Sequence, residues 1–480
     1  MRLLIGIFFL VIGMAASAQP PTKFYSTYGS NGYDVGYDLK QTLDGGYIIV
    51  GSTSSYGQGN TDMYLLKLDS MGQFKFQNTF GGVSNEIGKS IVQLADSSFV
   101  MAGYTSSTGV GGYDIFLVKA DKTGNLVWQK TIGGGDWDFA YSLQATSDGG
   151  FIIGGTTYSY GNGNADGYVI RADANGDTLW TKTYGGLNDD EFKSVIQTTD
   201  GNFALTGYTK SYNDVDSGDV WVLKLNNVGD TLWRKFYGGN KEDFGNDIIE
   251  HPNGDFFIAG ATESFGLGKL DAYAIKIDNI GNQILSQVDG HAGTNEFFNN
   301  VVIPLSNQSL TAYAETDNLS FYGIHPKILI INSNFGYVSA TGYGYDKDDE
   351  IYKIITTKDK GFACIGYTKS FDAILSDVFF IKTDSTTLNS QNIIGVKENN
   401  EIPHNISIYP NPAQDFIYIQ ANHLQNEKLQ IIDILGNIVD YNISKLVDEN
   451  NKVKIDLRGY ANGIYFVRIN KNSLKIIIER

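Results

Sequence analysis

The sequence predicts an all-β protein, a seven-bladed β-propeller followed by a small β-sandwich domain. The main observation is a unit of 52 or 53 residues that recurs along most of the 480-residue chain, as in the stretch from Thr183 to Gly239. Units of this length with several short strands are typical of propellers, because a closed ring of blades covers faces that one blade leaves open. The composition agrees, with 56 Gly, 13% aromatic residues and only 8 Pro, which suits strands joined by tight turns.

Residues 1–18 are predicted to be a secretory signal peptide. Arg2 supplies the positive start, Leu3–Met14 form an apolar core too short to span a bilayer comfortably, and Ala16-Ser17-Ala18 offers a cleavage site. No later segment is apolar enough to cross a membrane, so no transmembrane segment is expected. Cys364 is the single cysteine, so an intrachain disulfide cannot form and burial must stabilise the fold.

The predicted propeller occupies residues 19–395, and each of its seven repeats carries four strand signals, which we name a to d in chain order. Strand a ends at an Asp-Gly type turn, strand b ends in Gly-x-Thr-x-Ser, and strand c follows the pattern Asp-x-aromatic-x-x-Lys. Strand d centres on an aromatic residue, such as Phe76, Trp128, Trp180 or Trp233. The repeats open near Gly29, Gly81, Gly133, Gly185, Gly238, Gly290 and Gly344.

One further strand signal, Thr22–Tyr28, stands before the first repeat and resembles a strand d. We expect it to complete blade 7 and close the ring, because Phe24 stands where Phe76 and Trp128 stand one and two periods later. The segment Leu388–Ile394 competes for the same place, since it occupies the strand d position of the seventh repeat.

The repeats also resemble a known family. Over residues 22–395 the pattern Gly-Gly-x₃-Asp, then Asp-Gly-x-Phe and Gly-Tyr-Thr, then Asp-x-Trp-x-x-Lys is similar to the bacterial seven-bladed β-propeller (SBBP) repeat. Repeat six departs from the pattern, with His325 at the strand c Asp position and Ile330 at the Lys position. The resemblance implies a propeller in an extracellular protein and names no activity.

Residues 396–404 are predicted to be a linker, and residues 405–480 a β-sandwich. The second segment resembles the type A C-terminal sorting domain of type IX secretion in Tyr409-Pro410-Asn411-Pro412, Leu435-Gly436-Asn437, Asp456-Leu457 and Gly463-Ile464-Tyr465. This resemblance implies contact with the type IX machinery and a protein that is secreted or attached to the outer surface of a Gram-negative bacterium. An ordinary β-sandwich binding module is the alternative.

The charge restricts the class of partner. The formal net charge is −17, and acids and bases are equal in number between Val396 and Arg480, so the excess of acids lies in the repeats. An acidic domain is poorly suited to a phosphate backbone or an anionic membrane surface. We therefore expect no nucleic acid partner, and an extracellular glycan or protein as ligand.

An acidic residue stands just before strand a in all seven repeats. Because strand a is the innermost strand of a blade, this spacing predicts seven carboxylates around one mouth of the central channel. The alternative is structural, with each carboxylate bound to backbone N–H groups of the Gly-Gly turn or paired with a strand c base. The seven residues are Asp34, Glu86, Asp138, Asp190, Asp243, Glu296 and Asp349.

The loops between strands b and c are the longest in each repeat and lie on the same face as these carboxylates. Six of them carry an aromatic residue near their start, which predicts a binding platform for glycans or protein loops, with plain packing as the alternative. We expect repeat six, with His291, Glu296 and His325, to hold the most distinctive site, because it differs most from the others. The six aromatic residues are Tyr56, Tyr160, Tyr212, Phe265, Phe321 and Phe371.

The sequence contains no recognisable catalytic set. None of the five histidines has metal-ligand spacing, no nucleophile elbow or phosphate loop occurs, and Cys364 is expected to be buried. We therefore predict binding without catalysis, cofactor or metal. One alternative is a carbohydrate hydrolase or lyase that uses the channel-mouth carboxylates. Another is a structural matrix protein stiffened by Ca²⁺, for which turns such as Asp173–Asp177 offer oxygen atoms.

Overall fold

The computed structural model describes residues 24–212, 217–305, 310–319, 323–344, 347–371, 373–384, 394–395, 407–409, 413–420, 429–433, 438–440, 452–469 and 472–478. Within these ranges the chain consists of strands, turns and loops, and it offers no helix that could cross a membrane. The chain divides into two compact units between Val396 and Lys397. The predicted signal peptide and the predicted linker lie outside the described residues.

Seven antiparallel sheets form the propeller, and the prediction of this fold is confirmed. Strand a of each blade contacts strand a of both neighbouring blades, including blade 7 with blade 1, so the ring is closed. The strands of blades 1 to 3 are Asp34–Gln41, Tyr47–Thr53, Asp62–Leu68 and Phe74–Phe80; Glu86–Gln93, Phe99–Thr105, Asp114–Ala120 and Leu126–Ile132; Asp138–Ala145, Phe151–Thr157, Asp166–Ala172 and Thr178–Tyr184. Those of blades 4 to 6 are Asp190–Gln197, Phe203–Thr209, Asp219–Leu225 and Thr231–Tyr237; Asp243–Glu250, Phe256–Thr262, Asp271–Ile277 and Gln283–Asp289; Glu296–Val302, Leu310–Leu319, Gly323–Asn332 and Tyr337–Gly342.

Blade 7 combines both ends of the propeller sequence. Its strands a to c are Asp349–Thr356, Phe362–Thr368 and Asp377–Thr383, and its strand d is the N-terminal strand Phe24–Tyr28. The predicted closure is therefore correct. Of the competing segment, Ile394 belongs to the short strand Ile394–Gly395, which pairs in parallel with the outer edge of the N-terminal strand, and residues 388–393 lie outside the described residues.

The aromatic ring of the N-terminal strand packs as the strand d rings of blades 1 to 4 do, against the glycine of the next strand c–d turn. The ring of Phe24 lies against Gly72 in the strand c–d turn of blade 1, as Trp128 lies against Gly176 one blade apart. The hydroxyl of Tyr28 donates to the carbonyl oxygen of Gly72. Glycine is required in these turns because its φ of +77° at Gly72 suits few other residues and because a Cβ would overlap the aromatic ring.

The apolar core lies between the blades. Strands b and c are buried almost completely, since each blade is covered by two neighbours, and the cluster between blades 2 and 3 includes Val100, Leu117, Phe151 and Ile170. Strand d forms the outer rim, where Leu126 is 51% exposed. Cys364 is buried as predicted.

Strand a carries the features that shape the channel. Each of the seven strands has a β-bulge at its fourth residue, and a bulge re-aims a side chain relative to the regular pleat. In blades 1, 3, 5 and 6 the fifth residue then joins neighbouring blades by accepting a backbone N–H from the next strand a. Asp38 accepts from Ile91 at 3.0 Å and Ser142 from Val195 at 3.1 Å.

The basic residues of strand c pair with the Asp of the strand a–b turn and not with the acids before strand a. The distance between nitrogen and oxygen is 2.5 Å for Arg171–Asp148 and 2.8 Å for Lys382–Asp359. The other pairs are Lys67–Asp44, Lys119–Asp96, Lys224–Asp200 and Lys276–Asp255, at 3.1 to 4.0 Å. The strand c bases, one of the two kinds of partner considered for the seven carboxylates, are therefore not their partners.

Blade 6 differs from the others in its core. In the other blades the register pairs a strand b glycine with a strand c aromatic residue, as with Gly207 and Trp221. Blade 6 pairs Glu315 with Lys327 at this point, and the two charged groups are 2.6 Å apart with Glu315 fully buried. The divergence of repeat six thus includes a buried ion pair, a structural substitution for a glycine–aromatic contact.

The C-terminal unit is the predicted small β-sandwich. One sheet contains Ser407–Tyr409, Phe416–Gln420 and Lys452–Asp456, and the other contains Ile438–Asp440, Leu429–Asp433, Gly463–Ile469 and Asn472–Ile478. Ile417 and Val453 from the first sheet share a core with Ile431 and Val467 from the second. The motifs at residues 410–412 and 434–437 lie outside the described residues.

Replacing Phe24 by Ala tests the closure of the ring. Phe24 is 5% exposed, and truncating a buried Phe leaves a cavity that costs about 3–4 kcal/mol of unfolding free energy. We expect that loss in urea titrations, whereas Leu126→Ala on the exposed rim costs less than about 0.5 kcal/mol. Equal effects of the two variants would show that the N-terminal strand does not close the propeller.

Candidate functional site

All seven predicted carboxylates are fully buried, at 0% exposure. In blade 3, Asp138 accepts hydrogen bonds from Thr157 Oγ1, from Ser159 Oγ at 2.7 Å and from the backbone N–H of Gly134 at 2.7 Å. A soluble ligand cannot reach these groups, so the prediction of a ligand-binding carboxylate ring is wrong. The structural alternative holds for Asp34, Glu86, Asp138, Asp190, Asp243, Glu296 and Asp349, and most of them take the Thr and Ser of Gly-x-Thr-x-Ser as donors.

A second carboxylate lies close to each of these acids in most blades. Around Gly185, the carboxylate of Asp166 from strand c of blade 3 and that of Asp190 from blade 4 would both overlap a Cβ. Burial raises the pKa of Asp166, and the negative charge of Asp190 raises it further. The glycine that opens each of the first five repeats is therefore needed for space, because two carboxylates approach its Cα.

The loop aromatics mainly pack within their own blade. Each described ring lies 5.5 to 6.0 Å from the strand c aromatic of the same blade, and Tyr160 and Tyr212 also donate a hydroxyl to the carbonyl oxygens of Gly133 and Gly185. These rings anchor their loops, one to each blade, and they stay partly exposed, 47% for Tyr160 and 42% for Phe265. The pairs are Tyr56–Tyr64, Tyr160–Tyr168, Tyr212–Trp221, Phe265–Tyr273 and Phe371–Phe379, and Phe321 lies outside the described residues.

Of the three residues predicted for a distinctive site in repeat six, two come together, His291 and Glu296. His291 is 57% exposed, with Nδ1 3.7 Å from Glu296 Oε1, and His325 lies in strand c near Asp348. In the part of the chain that the structure describes, no three His, Cys, Asp or Glu side chains form a metal-binding group. In the turn Asp173–Asp177, Asp173 Oδ1 accepts backbone N–H groups of Asn175 and Asp177, so this oxygen closes the turn.

The structure instead assembles an aromatic cluster at blades 2 and 3, on the face of the b–c loops. Neighbouring ring centroids are 4.9 to 6.3 Å apart. Trp137 and Tyr158 are 48% and 43% exposed, whereas the other rings are partly buried toward strand a. We call this set, which consists of Tyr104, Tyr113, Trp137, Phe139, Tyr141 and Tyr158, the aromatic cluster.

Backbone hydrogen bonds hold the cluster in place. The N–H of Tyr158 donates to the carbonyl oxygen of Trp137 at 2.7 Å, and the N–H of Asp138 donates to that of Tyr113 at the same distance. The indole of Trp137 also lies over Gly112, where a Cβ would overlap it. The exposed rings are thus preorganised, which lowers the entropy lost when a ligand binds.

A second set of side chains, the channel ring, is formed by the bulged fourth residue of each strand a. All seven are partly exposed. Lys89 Nζ lies 3.4 Å from the centroid of the Tyr37 ring, and Lys193 Nζ lies 4.1 Å from that of Tyr141. Tyr141 therefore belongs to both sets and connects the aromatic cluster to the channel. The channel ring consists of Tyr37, Lys89, Tyr141, Lys193, Asn246, Asn299 and Tyr352.

The electrostatics of the channel ring are unusual at Lys89. Burial and the like charge of Lys193 lower the pKa of Lys89 to about 7, and Glu350 opposes this shift. Burial also raises the pKa of Glu350, whose carboxylate is hydrogen-bonded by Tyr352, Asn299 and Thr316. Among the described residues no carboxylate lies within 4.0 Å of Lys89 Nζ, whereas Lys193 is 2.9 Å from Glu191.

The sequence contained a signal for these residues that our prediction did not use. Trp137 is the only tryptophan directly before one of the seven acids, and the fourth residue of strand a is Tyr or Lys in five repeats and Asn in two. Both positions vary while the frame around them repeats. The residues shared by all repeats, which include the seven acids, are structural, so a pattern common to every repeat does not reveal the aromatic cluster or the channel ring.

The fold and the C-terminal unit define the class of this protein. Residues 407–479 match the family of secretion system C-terminal sorting domains. The protein is therefore a β-propeller protein of a Gram-negative bacterium that is secreted and attached to the outer cell surface, and its sorting domain serves the type IX secretion machinery.

Other known proteins are similar over smaller parts or in fold alone. The regulatory protein FlaEY of Caulobacter vibrioides is 27% identical over 223 residues, which cover 39% of this chain and 23% of FlaEY, so the chain spans less than a quarter of that relative. The WD40 domain of Neurospora crassa Pan2 has a TM-score of 0.47 at 10% identity and covers 76% of this chain and 91% of its own. Drosophila Plexin A in complex with Semaphorin 1b has a TM-score of 0.45 at 8% identity, with 76% and 87% covered.

Replacing Asp190 by Asn tests the structural role of the buried carboxylates. An amide accepts weaker hydrogen bonds from Thr209, Ser211 and Gly186, so we expect a loss of about 2–3 kcal/mol in unfolding free energy. Asp189→Asn, next to it and exposed, is the matched control and costs less than about 0.5 kcal/mol. Urea titration measures the unfolding free energy of both variants. An Asp190→Asn variant as stable as the unchanged protein would contradict the structural role of this carboxylate.

Replacing Lys89 by Met tests the electrostatics of the channel ring. The pKa of Lys89 is about 7 in the folded chain and about 10.4 in an unfolded one, so between these values the unfolded chain binds more protons and stability rises with pH. Lys89→Met should therefore raise the unfolding free energy by about 1–2 kcal/mol at pH 6, and the gain should shrink toward pH 10. If urea titrations showed a gain in stability that does not change with pH, they would contradict the lowered pKa of Lys89.

Proposed function

We propose that this protein is an extracellular glycan-binding protein that holds its ligand on the aromatic cluster and acts without catalysis. The observation that carries the proposal is the pair of exposed rings, Trp137 and Tyr158, whose centroids are 6.1 Å apart at an angle of 68°. Exposed aromatic rings that are fixed in position and adjoin a lined channel are the usual form of a small-ligand site.

Sugars suit this surface for a chemical reason. The C–H groups of a pyranose ring pack on an aromatic face and its hydroxyls remain available to polar neighbours, so a sugar loses little hydration on binding. The polar neighbours here are Asp136, whose Oδ1 accepts the N–H of Trp137 at 2.9 Å, and the hydroxyls of Tyr104, Tyr113 and Tyr158. Aromatic side chains of this kind supply most of the binding energy at compact sites.

A glycan is favoured over a protein ligand by the way exposure changes across the cluster. The rings pass from Trp137, almost half exposed at the rim, to the partly buried Tyr141 on strand a. A narrow polymer can follow this path into the channel ring. A folded protein would instead contact the rim broadly, where the next blades present charged pairs such as Lys210 of blade 4 and Glu242 of blade 5, 3.1 Å apart.

The structural role of the seven buried carboxylates supports binding without catalysis. The seven acids that a hydrolase or lyase was expected to use are buried and accept hydrogen bonds from their own blades. The hypothesis of a Ca²⁺-stiffened matrix protein stays a prediction, as does the resemblance of the repeats to the SBBP repeat. The surface location given by the sorting domain suits a protein that captures extracellular polysaccharide.

Replacing Trp137 by Ala tests the proposed function. The variant removes the most exposed ring of the aromatic cluster, so we expect glycan affinity to fall at least about tenfold, which corresponds to about 1.4 kcal/mol. Tyr337→Ala is the matched control, because Tyr337 is a 71% exposed ring on the outer strand of blade 6. Binding to immobilised polysaccharides is measured on the full chain. Equal affinity of the Trp137→Ala variant and the unchanged protein for every glycan bound would reject the aromatic cluster as the site.

A further inference from the structure

Two lysine side chains of the channel ring, Lys89 and Lys193, repel each other electrostatically, and among the described residues only Lys193 has an ion-pair partner. Lys89 in blade 2 and Lys193 in blade 4 stand on either side of Tyr141 in blade 3, and each ammonium group lies over a tyrosine ring. Lys193 is close enough to lower the pKa of Lys89. Two like charges in a partly buried channel are costly when no ion pair compensates them.

The carboxylates around the two lysines are already engaged. Glu191 lies 2.9 Å from Lys193 Nζ and so compensates that residue. Glu350 is buried and hydrogen-bonded by three neighbours, and it forms no ion pair with Lys89 within 4.0 Å. At the buried fifth position of strand a, Asp38 is paired with Lys40 at 2.9 Å and Asp247 lies 3.7 Å from Lys353. In the described channel, Lys89 is thus the cation whose charge is least compensated.

From this arrangement we propose that the glycan is anionic and that a carboxylate or sulfate of one sugar binds to Lys89 and Lys193 in the channel. This inference rests on the glycan-binding function proposed above and names the class of sugar. The aromatic cluster would hold the neighbouring sugar, because Tyr141 belongs to both sets. An anion placed between two ammonium groups relieves their repulsion and forms charge-assisted hydrogen bonds.

Two matched pairs of polymers test the proposal on the full chain: polygalacturonate with its fully methyl-esterified form, and dextran sulfate with dextran. We expect the charged member of at least one pair to bind at least about tenfold more tightly than the neutral member, with a preference that weakens in high salt. The two pairs distinguish a carboxylate from a sulfate.

Variants assign the effect to the channel. Lys89→Met should reduce affinity for the charged polymer to that of the neutral one, Lys89→Arg should retain most of it, and Lys122→Met, an exposed lysine in a strand c–d turn, should change nothing. Because Lys89→Met is expected to stabilise the fold, a loss of binding cannot be ascribed to unfolding, and thermal melting checks this.

The outcomes separate the two proposals. Equal binding of charged and neutral polymers, with sensitivity to Trp137→Ala, overturns the anionic inference and leaves glycan binding intact. A preference for the charged polymer that survives in Lys89→Met also overturns it. Failure to bind any of the four polymers rejects both proposals for these ligands.

Discussion

The loop face of the propeller depends on one buried carboxylate at the start of each strand a. This carboxylate accepts the N–H of the turn before it and the hydroxyls of the Thr-x-Ser motif that ends strand b, as Asp138 does with Gly134, Thr157 and Ser159. The same residue donates its own N–H to the neighbouring blade, at the carbonyl oxygen of Tyr113. One residue per repeat thereby joins the turn, its own blade and the previous blade, because a buried carboxylate requires several donors.

This frame leaves other positions free to vary. The residue before each acid and the residue after each Thr form a backbone hydrogen bond in most blades, so their side chains stand at a defined place on the face. Blade 3 uses the two places for Trp137 and Tyr158, whereas blade 7 uses them for Asp348 and Lys369. A rigid frame with variable positions permits a local binding site without loss of the repeat.

In the channel, too, some positions of strand a hold the blades together and others vary between repeats. The fifth residue of strand a connects the blades, with Asp38 and Ser142 accepting backbone N–H groups. The bulged fourth residue lines the channel as part of the channel ring, and Asn246 and Asn299 also donate to a carbonyl oxygen of the next strand a. The two lysines of this ring lie in a protein whose net charge is −17, so a local cationic site coexists with an acidic surface, because screening confines electrostatic effects to short range.

The sequence by itself determined the propeller, the number of blades, the closing strand and the sorting domain. Each of these follows from a period or a local pattern, such as Phe24 standing one period before Phe76, and such patterns are written in chain order. Only the tertiary structure decided which polar groups reach solvent. The seven acids looked like a site because they recur, but the hydroxyls that bond Asp138, for example, lie 19 and 21 residues away, at the end of strand b and just after it. The aromatic cluster likewise gathers residues of two blades, from Tyr104 to Tyr158, and the period cannot show that proximity because it arises only when the blades pack.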